Sequence, residues 1–147
     1  MSYFTFEELV KSDTAKRLGI DNTPTDENVI ENIHKLISVM DIIREEWTIY
    51  CKERGLQHPQ IIVNSGYRCK ALNEAVKGSS TSSHMYGTAI DFRAKNWDNK
   101  ALWGIVIDTL KKYEIPFNQL IDENRLLWIH LDIMNSRGEQ RGEILFK

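Results

Sequence analysis

The chain has 147 residues, of which 41% are hydrophobic and 27% charged, a composition typical of one ordinary globular domain. Nineteen Lys and Arg residues against 21 Asp and Glu residues leave a net charge of −2, which argues against a protein that binds nucleic acid through a basic surface. No apolar run is long enough to cross a membrane, and the acidic start MSYFTFEELVKSD lacks the features of a signal peptide. We therefore expect residues 1–147 to form one domain, cytoplasmic as synthesised, with no membrane or nucleic-acid partner.

The first third of the chain predicts helices. Thr5 and Glu8 have capping-box spacing, which predicts a short helix from Phe6 to about Lys11, and a second runs over residues 13–18. A long helix is predicted from Asp26, with Thr25 as its cap and stop signals near residues 54–59. Its apolar stripe has spacings of three and four, typical of a helix that packs on a core: Val29, Ile33, Leu36, Met40, Ile43, Trp47 and Tyr50.

The rest of the chain interleaves predicted strands with helices. Strands are expected at residues 61–63, 88–92, 117–121 and 126–133, with a short last strand at 144–146. Helices are expected at 67–76 and 99–113, the second capped by Asp98. The last two long strands form a hairpin around residues 122–125. This order predicts an α+β domain in which a small antiparallel sheet packs against the N-terminal and central helices.

Two histidines and an aspartate are the strongest candidates for chemistry. His84 and Asp91 lie seven residues apart around Gly87, and His130 follows on a predicted strand. Gly87 allows a sharp turn that brings His84 back beside Asp91. Two imidazoles and one carboxylate suit a zinc ion whose fourth position stays open. The spacing alone fits equally a surface histidine and an aspartate at a strand end.

The two cysteines, Cys51 and Cys69, form no Cys-x-x-Cys pair. Free thiols, buried or partly buried, are expected. A disulfide between them or a zinc-ligand role is the alternative.

A wider motif surrounds these residues and resembles a known family. It consists of Ser83-His84-x-x-Gly87-x-Ala89-x-Asp91, of Trp128-x-His130, and of Ser65-Gly66-Tyr67-Arg68 with Leu72-Asn73. The motif resembles the zinc-dependent D-alanyl-D-alanine carboxypeptidase and endolysin peptidase superfamily, whose fold is shared by the hedgehog signalling domain. The segments 4–9 and 21–24 look like the small phage-type branch of that superfamily.

The resemblance implies a function and roles for named residues. His84, Asp91 and His130 would bind Zn²⁺, Arg68 would bind a substrate carboxylate or polarise the scissile carbonyl, and Ser83 would shape the approach of the substrate. The implied activity is hydrolysis of peptidoglycan stem peptides by a monomeric enzyme released to the cell wall, for example by phage lysis machinery. It would cut either D-Ala-D-Ala or L-Ala-D-Glu bonds. The alternative is a catalytically inactive, zinc-containing peptide- or wall-binding module of the same fold.

The general base is the part of the motif that this sequence leaves open. Many relatives carry a carboxylate three residues before the last histidine, where this chain has Leu127. The phage-type branch implies Glu123 instead, and Asp132 is the next candidate, although it could simply orient His130. A tight turn at residues 124–125 would place Gln119 opposite His130, whereas a wider turn would bring Glu123 closer.

Overall fold

Five α-helices and one five-stranded sheet form the fold in a computed structural model, which describes residues 2–147. The helices are α1 (Phe6–Val10), α2 (Asp13–Leu18), α3 (Glu27–Glu53), α4 (Lys70–Ala75) and α5 (Asn99–Lys112). The strands are β1 (Ile61–Ser65), β2 (Ala89–Ala94), β3 (Gln119–Glu123), β4 (Trp128–Asp132) and β5 (Glu143–Phe146). A 3₁₀ helix, Ser83–Tyr86, leads into β2. The predicted α+β class is confirmed.

The sheet has the strand order β1-β2-β4-β3-β5. Its first three neighbouring pairs are antiparallel, as the sequence predicted, but β5 lies parallel to β3. The parallel pair arises because β4 ends beside the start of β3, and the polar segment after β4 passes that end of β3 before β5 begins beside Gln119. As a result β1 and β5 are the two edge strands.

One face of the sheet packs against α3 and α5 and forms the core. The predicted stripe of α3 supplies five fully buried side chains to this core: Ile33, Leu36, Met40, Ile43 and Trp47. On the sheet side they meet alternate residues of the two central strands, among them Ile90, Phe92, Ile129 and Leu131. Side chains alternate across a strand, so the intervening residues of β2 and β4 face away from α3 and α5. Those intervening residues include Asp91 and His130.

The helix caps explain where the N-terminal helices begin. At α1 both capping-box bonds form, from Glu8 N to Thr5 Oγ1 at 3.1 Å and from Thr5 N to Glu8 Oε1 at 3.2 Å. The predicted cap of α3 was wrong: Asp26 takes that position instead of Thr25, and its Oδ1 accepts from Asn28 N at 2.8 Å. A carboxylate at this position also favours the positive end of the helix dipole.

The predicted helix over residues 67–76 is shorter, because its first three residues are held by other segments. Tyr67 N donates to Leu9 O at 2.7 Å, Arg68 N to His84 O at 3.1 Å, and Cys69 N to Asn22 Oδ1 at 2.7 Å. Cys69 therefore caps α4, and Arg68 lies in an extended segment tied to the 3₁₀ helix.

Both cysteines are free thiols, as predicted, with Cys51 buried and Cys69 half-buried. Within residues 2–147 no helix combines the length and the apolar character needed to span a membrane.

Candidate metal centre

The three predicted ligands come together on the open face of the sheet. One ligand atom from each of His84, Asp91 and His130 lies within 4.8 Å of the other two. His84 is buried, with 2% of its surface exposed, while Asp91 and His130 are half-buried. The group therefore sits at the bottom of a cavity and remains open to solvent from one side.

Strand register and a glycine turn explain the convergence. Asp91 and His130 are direct cross-strand partners on β2 and β4, so their side chains leave the same face side by side. His84 comes from the 3₁₀ helix, which ends at Gly87 with φ of 74°. A Cβ atom at Gly87 would lie 2.8 Å from Ile33 Cγ1 and from Val29 O. Only glycine combines this backbone angle with such a close approach to α3.

The hydrogen bonds around the two imidazoles fix which nitrogen faces which group. His84 Nδ1 lies 2.7 Å from Gly66 O, and because a carbonyl only accepts, Nδ1 carries the proton. His84 Nε2 then faces Asp91 Oδ2 at 3.3 Å. His130 lies between two carboxylates, with Nδ1 2.8 Å from Asp91 Oδ1 and Nε2 2.9 Å from Asp132 Oδ2.

These contacts shift the pKa values of Asp91 and His130 in opposite directions. Burial alone would raise the pKa of Asp91, but the hydrogen bond from His130 and the neighbouring His84 outweigh it and hold that pKa well below its usual range. Burial alone would lower the pKa of His130, but its bonds to Asp132 and Asp91 raise it to about 9. In the metal-free centre His130 is therefore an imidazolium that donates from both nitrogens.

The donor set fits a divalent metal ion such as zinc. With Nδ1 of His84 donating to Gly66, its Nε2 presents a lone pair to an Asp91 oxygen at 3.3 Å, an arrangement that calls for a cation between them. His130 offers Nδ1 on the same side, while Nε2–H remains bound to Asp132. A carboxylate that holds the far nitrogen of a metal-binding histidine is a common feature of zinc sites. Two nitrogens and one oxygen are ligands that zinc accepts in open, catalytic sites.

Arg68 borders the same cavity, and its guanidinium group is not fully hydrogen-bonded. Its Nε atom is buried and has no hydrogen-bond partner among the described residues. Burial lowers the pKa of Arg68, although the charge of Asp91 opposes the shift. A guanidinium in this state has unused donors for an incoming carboxylate or carbonyl. Ser83 is a half-buried residue on the wall of the same cavity.

The turn between β3 and β4 is the wider one, and it brings Glu123 near the centre. Glu123 pairs with Trp128 and Ile121 with His130, so four residues, 124–127, form the turn. Glu123 thus lies two pairs along the ladder from His130 and on the same face, and it lines the cavity of about 540 Å³ around the three candidate ligands. It makes no ion pair with any described residue. Asp122 faces the other way and accepts from Leu126 N at 2.6 Å.

Asp132, the second candidate for a base, is almost fully enclosed. It is 2% exposed, and its Oδ2 is engaged by His130 Nε2. Its Oδ1 is buried and has no hydrogen-bond partner within residues 2–147. This environment suits a residue that orients His130 better than one that exchanges protons with a substrate.

One wall of the cavity was missed by the sequence reasoning. The polar segment after β4 contributes four residues to the lining of the cavity: Asn135, Ser136, Arg137 and Arg141. Asn135 Oδ1 organises that segment by accepting from Arg137 N at 2.9 Å and Glu139 N at 2.8 Å. Two arginines within a short polar stretch were the available signal for this wall. The position of that stretch, however, depends on β5 lying parallel to β3.

Comparison with known proteins gives the family. The model of the family described as Peptidase M15 matches residues 2–132, a span that contains all three candidate ligands, Arg68 and Glu123. M15 peptidases are metallopeptidases, in agreement with the donor set. A comparison with curated proteins found no match. Because the family model covers most of the chain, this protein belongs to the peptidase M15 family.

Proposed function

We propose that residues 1–147 form one zinc peptidase domain that hydrolyses peptide bonds of bacterial peptidoglycan. The observation that carries the proposal is the convergence of His84, Asp91 and His130 in one cavity, in a chain that belongs to a peptidase family. Zinc held by these three residues would supply a Lewis acid and a water molecule activated near neutral pH. The protein's own groups supply the remaining chemistry.

The ligands are held ready by their neighbours. Gly66 O fixes the ring of His84 so that Nε2 points into the cavity, and Asp132 does the same for Nδ1 of His130. Such prior orientation reduces the reorganisation needed when substrate arrives. In this proposal Asp132 is a positioning residue.

Glu123 is the proposed general base. Its carboxylate takes a proton from the water that attacks the scissile carbonyl, and then delivers a proton to the leaving amine nitrogen. The position of Glu123 on the cavity wall and its lack of an ion pair support this role. Arg68 binds a substrate carboxylate or polarises the scissile carbonyl through its unused N–H donors, and Ser83 lines the approach.

The bond cut is proposed to be either the terminal D-Ala-D-Ala bond or the L-Ala-D-Glu bond of the stem peptide. The likeness to the phage-type branch supports a monomeric endolysin that reaches the wall after synthesis in the cytoplasm. A carboxypeptidase releases free D-alanine from its substrate, whereas an endopeptidase releases longer fragments. The product masses therefore separate the two.

The test is mass spectrometry of purified peptidoglycan incubated with the zinc-loaded protein, with and without a chelator. We expect new peptide fragments that disappear with chelator and in His84→Ala, but persist in His34→Ala, which removes an exposed histidine of α3 that does not line the cavity. Stoichiometric zinc with no hydrolysis by the wild type would favour the wall-binding module instead. Failure to bind zinc would reject both versions.

A further inference from the structure

A second cavity runs along the free edge of β1 and continues into the metal centre. It has a volume of about 650 Å³, and all five residues of β1 form its floor. The corner between α1 and α2 contributes one wall through Lys11, Ser12 and Asp13, and α4 contributes Leu72. Arg68 and Asp91 line both this groove and the cavity of the metal centre. The two spaces therefore meet at the proposed reaction site.

The edge of β1 presents unpaired backbone groups to this groove. Lys95 N donates to Gln60 O at 2.9 Å, which sets the phase of the ladder between β1 and β2. Because hydrogen-bonded and non-hydrogen-bonded pairs alternate in an antiparallel ladder, Ile62 bonds to Arg93. Ile61 and Val63, paired with Ala94 and Phe92, then direct their N–H and C=O groups away from β2.

No other part of the described chain uses those groups. Outside the sheet ladder, no hydrogen bond within residues 2–147 involves the backbone N–H or C=O of residues 61–65. An unpaired edge of this kind is a template for one more strand. Proteins that bind extended peptides use such edges, with main-chain bonds that give affinity and flanking pockets that give specificity.

We propose that the groove binds the flank of the substrate peptide as an added strand on β1, which positions the scissile bond at the metal centre. This inference rests on the proposed function, since it takes the substrate to be a peptide. Five residues of β1 span roughly 17 Å at about 3.3 Å each, room for three to five residues of an extended peptide. Lys11 and Asp13 form no ion pair among the described residues. They are placed to bind charged groups of that flank.

The first test removes one edge donor. Val63→Pro deletes the outward N–H, which proline can do on an edge without breaking the ladder. Ile144→Pro is the matched control: on the other edge strand, Glu143 N and Lys147 N donate to β3, so the N–H of Ile144 also points outward. Both changes are made in zinc-loaded Glu123→Gln, and affinity for a fluorescein-labelled stem pentapeptide is measured by anisotropy. We expect about fivefold weaker binding for Val63→Pro and no change for Ile144→Pro, at equal zinc content.

Equal affinity of Val63→Pro and Ile144→Pro, or no binding of the pentapeptide at all, overturns the proposal. If Val63→Pro unfolds at a lower temperature than Ile144→Pro, the peptide is changed instead of the protein. The affinity of zinc-loaded Glu123→Gln, without a proline substitution, is then measured for pentapeptides N-methylated at one amide at a time. Loss of affinity at alternate amides supports strand addition, and uniform tolerance or uniform loss rejects it. Hydrolysis by the wild type is scored separately. Cleavage by the wild type together with equal affinities for all N-methylated peptides rejects only peptide binding in the groove. Loss of affinity at alternate amides without cleavage by the wild type rejects only the peptidase activity.

Discussion

Replacing Asp132 by asparagine tests the reading of the metal centre most directly. In the wild type, His130 Nε2 lies 2.9 Å from Asp132 Oδ2. Asparagine keeps the size of the side chain and an oxygen that can accept from Nε2, but it removes the negative charge. A hydrogen bond to a charged group contributes about 1.5–3 kcal/mol and a neutral one about 0.5–1.5 kcal/mol. The difference of about 1–1.5 kcal/mol corresponds to roughly tenfold weaker zinc binding, in the range found for such supporting carboxylates.

Two measurements separate this role from a catalytic one. Zinc affinity is measured by competition with a chelator of known affinity at about pH 10, above the pKa of His130, so that protons do not compete with zinc. The pKa of His130 is measured by NMR titration of the metal-free protein. The pKa, raised to about 9 in the wild type, should fall by about one unit in Asp132→Asn, and turnover at saturating zinc should change little. Unchanged zinc affinity together with abolished turnover would contradict this assignment and make Asp132 the base.

Three further changes test other parts of the molecule. Glu123→Gln should lower kcat by about 10²–10⁴-fold at unchanged zinc content, whereas Asp122→Asn, which keeps the acceptor for the turn, should leave kcat intact; equal losses would exclude Glu123 as base. Gly87→Ala should lower the free energy of unfolding by about 2–3 kcal/mol, because of the positive φ of Gly87 and its close contact with α3. Gly104→Ala in α5, where nothing lies within 4 Å of an added Cβ, should raise the free energy of unfolding by about 0.5–1 kcal/mol. Urea titrations that rank the two variants otherwise would refute this description of the packing. In the metal-free protein the raised pKa of His130 stabilises the fold fully below about pH 6.5, and this contribution is lost as pH rises through about 9. Urea titrations of His130→Asn should show no such loss of stability over this pH range.

The sequence predicted the cluster of candidate ligands better than it predicted the surroundings of that cluster. His84, Asp91 and His130 stood out because few residue types bind zinc and because a wider motif joined them. The α3 stripe was equally clear, since helical periodicity over 27 residues averages out local exceptions. Both signals are carried by the identities of the residues themselves.

Features that depend on contacts between distant segments could not be predicted in this way. The segment 67–69 has the residues of a helix, but bonds to Leu9, His84 and Asn22 keep it extended. The parallel placement of β5 and the return of Arg137 and Arg141 to the cavity are likewise set by tertiary packing. Periodicity carries no information about such partners.

The turn after Glu123 has a backbone conformation that most of its residues do not favour. Asn124, Arg125 and Leu126 all have positive φ, at 51°, 56° and 60°, and this conformation costs about 1–2 kcal/mol for a residue such as arginine or leucine. Bonds from Asn99 Nδ2 to Leu126 O at 2.8 Å and from Asn124 N to Lys147 O at 2.8 Å hold the turn in place.

A two-residue turn would need positive φ at one or two residues instead of three, but it would shift the register by two residues. Gln119 would then lie opposite His130, and Glu123 would move about 7 Å farther along the strand. Strained backbone that persists because its surroundings enforce it is typical of functional sites. The wide turn also serves the core, because Leu126 packs against it while Asn124 and Arg125 are exposed. It also places Glu123 about 7 Å nearer to His130 along the strand than a two-residue turn would, so the proposed role of Glu123 as base depends on this turn.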